Sequence, residues 1–184
     1  MNRLASPAQL RASLLRWALV LVPAVVLLGF VSGELSGSGA DNVWFSALEK
    51  PSIYPPPAVF GIVWTILYVL IGLAAAMVAC AWGARLRPIA LVMFAIQLAL
   101  NLAWSPVFFG LHQITAALWV IIALDVAVVV TILLFWRVRK LAALLLLPYL
   151  AWVLFATVLT WEFRQLNPHA DGVDVSGAVQ RIEL

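Results

Sequence analysis

Five long apolar runs constrain the fold of this chain more than any other feature of its sequence. A helix needs about 20 predominantly apolar residues to cross a bilayer, and inside lipid every backbone polar group has to be satisfied within the protein. The runs therefore predict an all-α, polytopic membrane protein, a bundle of five transmembrane helices. The five predicted spans are Trp17–Gly33, Pro57–Gly83, Ile89–Phe109, Ile114–Trp136 and Leu141–Phe163.

The composition supports a lipid environment. Of the 184 residues, 65% are hydrophobic and only 10% are charged, whereas about 25% of a soluble domain is charged. The basic residues lie between the apolar runs instead of on one face, which argues against nucleic-acid binding. The single cysteine, Cys80, leaves no partner for an intrachain disulfide.

The chain divides into a basic lead (residues 1–13), one membrane domain (14–166) and a polar tail (167–184) that we expect to lack fixed structure. Within the domain, the loop at about 34–57 is the predicted lid. The basic lead before the first run is also typical of a cleaved signal peptide. The need for a fifth helix favours retention of this segment.

Charge in the connections predicts the orientation. The N-terminal lead and the second and fourth loops are basic, while the first and third loops are not. By the positive-inside rule, the N-terminus is inside and the C-terminus is outside. The basic residues that decide this are Arg3, Arg11 and Arg16 in the lead, Arg85 and Arg87 in the second loop, and Arg137, Arg139 and Lys140 in the fourth.

A proline-rich approach to the second run predicts a pocket. The segment Pro55–Pro57 is stiff and extended, because proline fixes its own φ and restricts the residue before it. The helix that follows places Trp64 and Tyr68 four residues apart on one face. Two large aromatic rings just below a rigid loop are suited to form the roof and wall of a flat apolar pocket.

The third run carries a polar stripe. Gln97, Asn101 and Ser105 are spaced i, i+4, i+8, so they share one face that has to meet protein. Interhelical hydrogen bonds, worth about 0.6–2 kcal/mol in membranes, and ligand contact are both open for these side chains. Trp104 lies on nearly the same face, and Pro106 is expected to kink the end of the helix.

Asp125 is the only carboxylate well inside the fourth run. A central aspartate costs about 2.5–3.5 kcal/mol on the insertion scale, and burial favours its neutral form. Proton relay, ligand contact and structural hydrogen bonding are all open roles. The sequence supplies no chain of partners that would indicate a proton wire.

The fifth run presents one continuous stripe of Tyr149, Trp152, Ala156 and Thr160. Trp161 lies near its outer end, where tryptophan is often an interfacial anchor. The sequence has no HExxH or CxxC pattern, so neither a metal site nor a cofactor is predicted.

An ordered set of motifs between about residues 41 and 168 resembles the TspO/MBR family of tryptophan-rich sensory and translocator proteins, once called peripheral benzodiazepine receptors. The matching motifs are W-F at 44–45, L-x-K-P at 48–51, P-P at 55–56, V-W-T-x-L-Y at 63–68, Q-L-A-L-N-L-A-W-S-P-V-F-F at 97–109, L-D at 124–125 and P-Y-L-A-W-V-x-F-A-T-x-L at 148–159.

The resemblance implies a membrane receptor or sensor that binds protoporphyrin-like tetrapyrroles inside the bundle, in porphyrin handling or stress regulation. It carries ligand contact directly onto Trp152 and Ala156 and places the matching Asp125 inside the bundle. The full set of expected contacts is Trp64, Tyr68, Gln97, Asn101, Trp104, Asp125, Trp152, Ala156 and Trp161, beneath a lid that contains Trp44, Pro51, Pro55 and Pro56.

Two other functions remain open. Some bacterial members degrade porphyrin in light and oxygen through tryptophan radicals, and Trp64 and Trp161 match the tryptophans assigned that role. Transport of porphyrin or sterol is the second, although no internal repeat indicates a carrier. A homodimer is also expected, through small residues at 75, 79 and 83 or at 95, 99 and 103.

The chain departs from the family pattern at several positions. Ile53 and Ala58 stand where the family often has aromatic residues in the lid, and Thr160 stands where many members have asparagine. Trp161 occupies the tyrosine position of the cholesterol-recognition pattern, a weak pattern even when intact. Sterol binding at the fifth helix is therefore not predicted.

Overall fold

The computed structural model describes residues 6–173, and that part of the chain is helical without strands. Five helical segments are long and apolar enough to cross a membrane, which confirms the predicted all-α, five-helix fold. The helices are α1 (Pro7–Leu35), α2 (Val43–Ala47), α3 (Pro57–Ala79), α4 (Arg87–Ser105), α5 (Ile114–Val138), α6 (Lys140–Leu145) and α7 (Leu147–Leu166).

Helix α1 begins well before the first apolar run. Ser6 accepts from the backbone N–H of Gln9, and the Gln9 side chain accepts from the N–H of Ser6, which completes a capping box. Pro7 follows at the first helical position, where its missing N–H costs nothing. The caps therefore extend the helix to 29 residues.

Two prolines interrupt the regular α-helix in the third and fifth spans. Pro106 is followed by a π-helical turn, Pro106–Gly110, closed by the N–H of Leu111 on the carbonyl of Pro106 at 2.9 Å. Pro106 was expected to kink the end of α4, and the structure has a π-helical turn at this position. The fifth span, predicted as one helix, is interrupted at Leu146 because Pro148 lies in the first turn of α7 and cannot donate a hydrogen bond.

The core lies between α3 and its neighbours. Ile71, Ala74, Ala75 and Val78 of α3 are fully or almost fully buried. Gly72 brings α1 close, since a Cβ there would lie 2.7 Å from a backbone carbon of α1. Tight helix contact at small residues is the usual packing mode in membranes.

This packing separates the two candidate dimer stripes. Ala75 and Ala79 of α3 are buried within the chain, whereas Ala95 and Ala99 of α4 are exposed. A homodimer remains a prediction, and α4 is the helix that presents small residues to its surroundings.

The first loop folds over one end of the bundle. Its short helix α2 buries Trp44 and Phe45, which pack with Phe108 and Phe163 in a second hydrophobic cluster. The loop is therefore a packed cap on the C-terminal ends of α4 and α7 and the N-terminal end of α5.

The start of the tail is fastened to this cap. Asn167 Oδ1 accepts from the backbone N–H of Glu49 at 2.9 Å, and Asn167 Nδ2 donates to the carbonyl of Glu49 at 3.0 Å. Asp171 Oδ1 accepts from the N–H of Ile114 at 2.6 Å, at the start of α5. Residues 167–173 therefore contact the cap and α5, while 174–184 and the first five residues of the basic lead lie outside the described residues. The lack of fixed structure in the tail stays a prediction.

Candidate functional site

A cavity of about 330 Å³ lies inside the bundle beneath the lid loop. It is enclosed by α1, α3, α4, α5 and α7 together with residues of the loop and the π-helical turn. Pockets for small ligands span about 300–1,000 Å³ and are mostly apolar. The volume and the lining make this cavity the candidate site.

Stacked aromatic pairs form two walls of the cavity. Trp64 stacks on Tyr68 with ring centroids 5.1 Å apart and an interplanar angle of 28°. Trp104 stacks on Phe108 at 4.9 Å and 17°. Each pair presents flat apolar surface, and the pairing fixes the orientation of the rings.

A third wall combines α3 and α7. Phe60 meets Trp152 edge to face at 5.8 Å, and Ala156 lies one turn beyond Trp152 on the same helix face. Phe60, Trp152 and Ala156 thus complete the lining of the cavity on this side.

Six of the nine ligand contacts expected from the sequence line the cavity, and three do not. The residues that line it are Trp64, Tyr68, Asn101, Trp104, Trp152 and Ala156.

Gln97 lies behind the cavity wall, in a buried hydrogen-bond chain. Tyr68 Oη donates to Asn101 Oδ1 at 3.3 Å, and Asn101 Nδ2 donates to Tyr149 Oη at 3.1 Å. Tyr149 Oη then donates to Gln97 Oε1 at 3.0 Å. Gln97 is 1% exposed, so its position fits the structural alternative of interhelical bonding.

Asp125 and Trp161 also lie outside the cavity. Asp125 Oδ2 accepts from Thr157 Oγ1 at 2.8 Å and links α5 to α7. The Trp161 side chain is 51% exposed, whereas its neighbour Thr160 lines the cavity. A step of one residue turns the side chain by about 100° around the helix, which directs Trp161 away from the site.

The lid residues act mainly through packing. Trp44 Nε1 donates to the carbonyl of Ala170 at 3.1 Å, and its ring stacks on His112 at 4.8 Å. Pro51 is buried, while Pro55 and Pro56 are partly or fully exposed and do not line the cavity. Instead, the adjacent Tyr54 and Pro57 line it.

Helix α1 also contributes to the cavity, which was not predicted from the sequence. Gly29 and Phe30 line the cavity and face the aromatic wall, with the Phe30 ring 6.4 Å from that of Tyr68. Ser32 is the only polar residue of the first run, and it does not line the cavity, since its Oγ donates to the carbonyl of Leu102 in α4 at 2.6 Å. The spacing of Gly29 and Gly33 was the available signal, because small residues four apart allow close helix contact.

The side chains that line the cavity are mostly aromatic and aliphatic, with few polar groups. Within residues 6–173, no group of three His, Cys, Asp or Glu side chains is arranged to hold a metal ion. The lining offers stacking surface, with Asn101 and Tyr68 as polar groups at its inner end. These features suit retention of a flat, mostly apolar molecule.

Comparison with known proteins agrees with this architecture. The family model described as the TspO/MBR family matches residues 18–166. A tryptophan-rich protein TspO of Chlorobaculum tepidum is 46% identical over 126 residues, which are 68% of this chain and 80% of that protein. A tryptophan-rich sensory protein of Cereibacter sphaeroides is 40% identical over 124 residues (67% and 77%).

The similarity extends to animals. The human translocator protein is 38% identical over 136 residues, which are 73% of this chain and 80% of that protein. The family-model match to residues 18–166 includes the second to fifth membrane-spanning segments and most of the first. The chain is therefore an integral, multi-pass membrane protein that belongs to the TspO/MBR family.

Proposed function

We propose that this protein is a membrane receptor that binds tetrapyrroles such as protoporphyrin in the cavity beneath the lid, in porphyrin handling or stress regulation. The observation that carries the proposal is the pair of stacked aromatic walls, Trp64 on Tyr68 and Trp104 on Phe108. A sensory role is in keeping with the name of the relative from Cereibacter sphaeroides.

Burial of a flat ring system supplies the binding free energy. Removal of apolar area from water is worth about 25 cal/mol per Å², less the cost of immobilising the ligand. The rings that surround the cavity are held by edge and face contacts with one another, so little side-chain freedom is lost on binding. This preorganisation favours a rigid planar ligand over a flexible one.

The cavity volume, about 330 Å³, is at the small end of the range for ligand sites. We propose that a macrocycle enters with one edge first and that its substituted edge stays at the mouth, beside the lid. This pose keeps polar substituents near water while the ring lies between the wall of Trp64 with Tyr68 and the wall of Trp104 with Phe108.

The orientation in the membrane is also a proposal. Within residues 6–173, the lid end carries five carboxylates and two cations, and the opposite ends of α3, α4, α5 and α6 carry five cations. The positive-inside rule therefore favours an outward-facing lid and an inward-facing N-terminus. The lid-end groups are Glu34, Asp41, Glu49, Glu162, Asp171, Lys50 and Arg164, and the opposite cations are Arg85, Arg87, Arg137, Arg139 and Lys140.

The test is a titration of the purified protein in nanodiscs with protoporphyrin, in the dark, followed by the Soret band. We expect saturable binding that Trp152→Ala weakens. Trp119→Ala is the matched control, because Trp119 is 67% exposed and does not line the cavity. Binding that fails to saturate, or that both variants weaken equally, contradicts the proposal.

A further inference from the structure

Glu34 is the one charged side chain that lines the cavity within the described part of the chain. It lies in the last turn of α1, which ends at Leu35 and has no basic residue in that turn. The C-terminal end of a helix carries partial negative charge, so a carboxylate there is unfavourable for the helix. Glu34 is exposed and lines the cavity, so its side chain makes the mouth of the cavity negative. The last carbonyls of α1 accept from Ser36, Gly37 and Ser38.

Lys50, the only cation of the lid loop, does not neutralise the negative charge at the mouth of the cavity. Lys50 Nζ donates to the backbone carbonyls of Phe45 and Leu48, the latter at 2.8 Å. The same ammonium group lies 4.3 Å from the centroid of the Phe45 ring, and burial lowers the pKa of Lys50. Its charge is thus directed to the protein's own backbone and ring, and Lys50 does not line the cavity.

A residue that violates a local preference without stabilising its own helix is expected at functional positions. Glu34 fits this description, since it is exposed and unfavourably placed for α1, yet borders an otherwise uncharged apolar cavity. At the mouth of the cavity, the Glu34 carboxylate repels negatively charged groups of a ligand, whereas neutral or positive groups are tolerated.

We propose that Glu34 determines the charge selectivity of the cavity. This inference rests on the proposed tetrapyrrole function and specifies the ligand further. Among tetrapyrroles, the site prefers those whose edge at the mouth is uncharged, so Glu34 weakens but does not prevent the binding of protoporphyrin, which presents two carboxylates there.

The experiment compares protoporphyrin, which carries two carboxylates, with its dimethyl ester. Both are titrated in the dark into wild-type protein, Glu34→Gln and Glu162→Gln in nanodiscs, with empty nanodiscs subtracted. Glu162 is a matched control because it is an acidic residue at the same end that does not line the cavity. The readout is the ratio of variant to wild-type Kd for each ligand, which removes the difference in membrane partitioning.

We expect Glu34→Gln to tighten binding of the free acid by about threefold to tenfold, the range for partly screened charges near a protein surface. Binding of the ester should not change, and Glu162→Gln should alter neither ligand. Added salt should tighten binding of the free acid to wild type but not to Glu34→Gln, because screening weakens the repulsion.

Two results would overturn the inference while tetrapyrrole binding stands. One is that Glu34→Gln leaves both Kd values unchanged, and the other is that it shifts both by the same factor. If neither porphyrin saturates the wild-type protein, the tetrapyrrole function itself is wrong and the inference falls with it.

Discussion

A Cβ atom on Gly29 would lie 2.2 Å from Cε2 of Tyr68. The missing side chain therefore lets α1 rest directly on the ring that forms the cavity wall. Tyr68 is only 8% exposed, and its other face stacks on Trp64. Helix α1, the least buried of the five spans, thus helps to shape the site through a single glycine.

Gly29→Ala should disturb the wall. The added methyl group has to push the Tyr68 ring, which breaks its stack on Trp64 or its hydrogen bond to Asn101. Overpacking of this kind costs about 1–3 kcal/mol, so we expect a lower free energy of unfolding and weaker porphyrin binding.

The matched control for stability is Gly61→Ala in α3, a residue that lines the cavity but where an added Cβ meets nothing within 4 Å. Thermal unfolding in detergent compares the two variants. An unfolding temperature for Gly29→Ala that equals that of Gly61→Ala would show that α1 moves away without cost.

Removal of the Tyr149 hydroxyl should destabilise the bundle more than removal of the Tyr68 hydroxyl. Tyr149 is fully buried and links Asn101 to Gln97, so Tyr149→Phe leaves two buried polar groups without this partner. Each unsatisfied group costs about 1–3 kcal/mol. Tyr68→Phe breaks only the bond to Asn101, which is the longest of the three at 3.3 Å.

Denaturant-induced unfolding of both variants measures the difference. Equal losses of unfolding free energy in Tyr149→Phe and Tyr68→Phe would mean that Tyr149 is not the central link of this hydrogen-bond chain. A double variant, Tyr149→Phe with Gln97→Leu, should recover part of the loss, because it removes the stranded acceptor.

Much of the fold could be predicted from the sequence because the constraints are local. Apolar runs of spanning length identify helices whatever their partners are, and a spacing of four places Trp64 and Tyr68 together. Both statements hold without knowledge of the tertiary structure.

Depth within the bundle could not be predicted in the same way. Gln97 and Asn101 share one face of α4, yet Asn101 borders the cavity and Gln97 bonds to Tyr149 behind it. Which turn of a helix meets a cavity depends on how the helices cross. The contribution of Gly29 was missed for the same reason, since its role exists only because Tyr68 lies opposite.

Asp171 should hold the lid end of the bundle together. Its carboxylate accepts from the N–H groups of Ile114 and Thr115 at the start of α5, in the manner of an N-cap. Asp171→Ala removes these acceptors at a cost of about 1 kcal/mol. We expect faster amide hydrogen exchange at Ile114 and in α2, which the same segment contacts through Trp44.

The control for this variant is His169→Ala, an exposed residue of the same segment. If amide hydrogen exchange in Asp171→Ala becomes faster only at Ile114 and Thr115 and is unchanged in α2, then Asp171 caps α5 without holding the lid in place.

Substitutions of two tryptophans separate binding from photochemistry. Trp64 lines the cavity and stacks on Tyr68, whereas Trp161 is 51% exposed and lies outside it. Trp64→Phe removes part of a stacked pair worth about 0.5–1.5 kcal/mol and should weaken porphyrin binding by about twofold to tenfold. Trp161→Phe should leave the Kd unchanged.

The same variants test the catalytic alternative, in which both tryptophans take part. Under illumination, a radical route through Trp161 predicts a defined product that wild type forms and Trp161→Phe does not, at equal ligand occupancy. The position of Trp161 outside the cavity leads us to expect equal bleaching by both proteins, as in simple photosensitisation. Loss of a product in Trp161→Phe with unchanged binding would restore the enzyme hypothesis, because a residue that does not contact the ligand would then be required for its conversion.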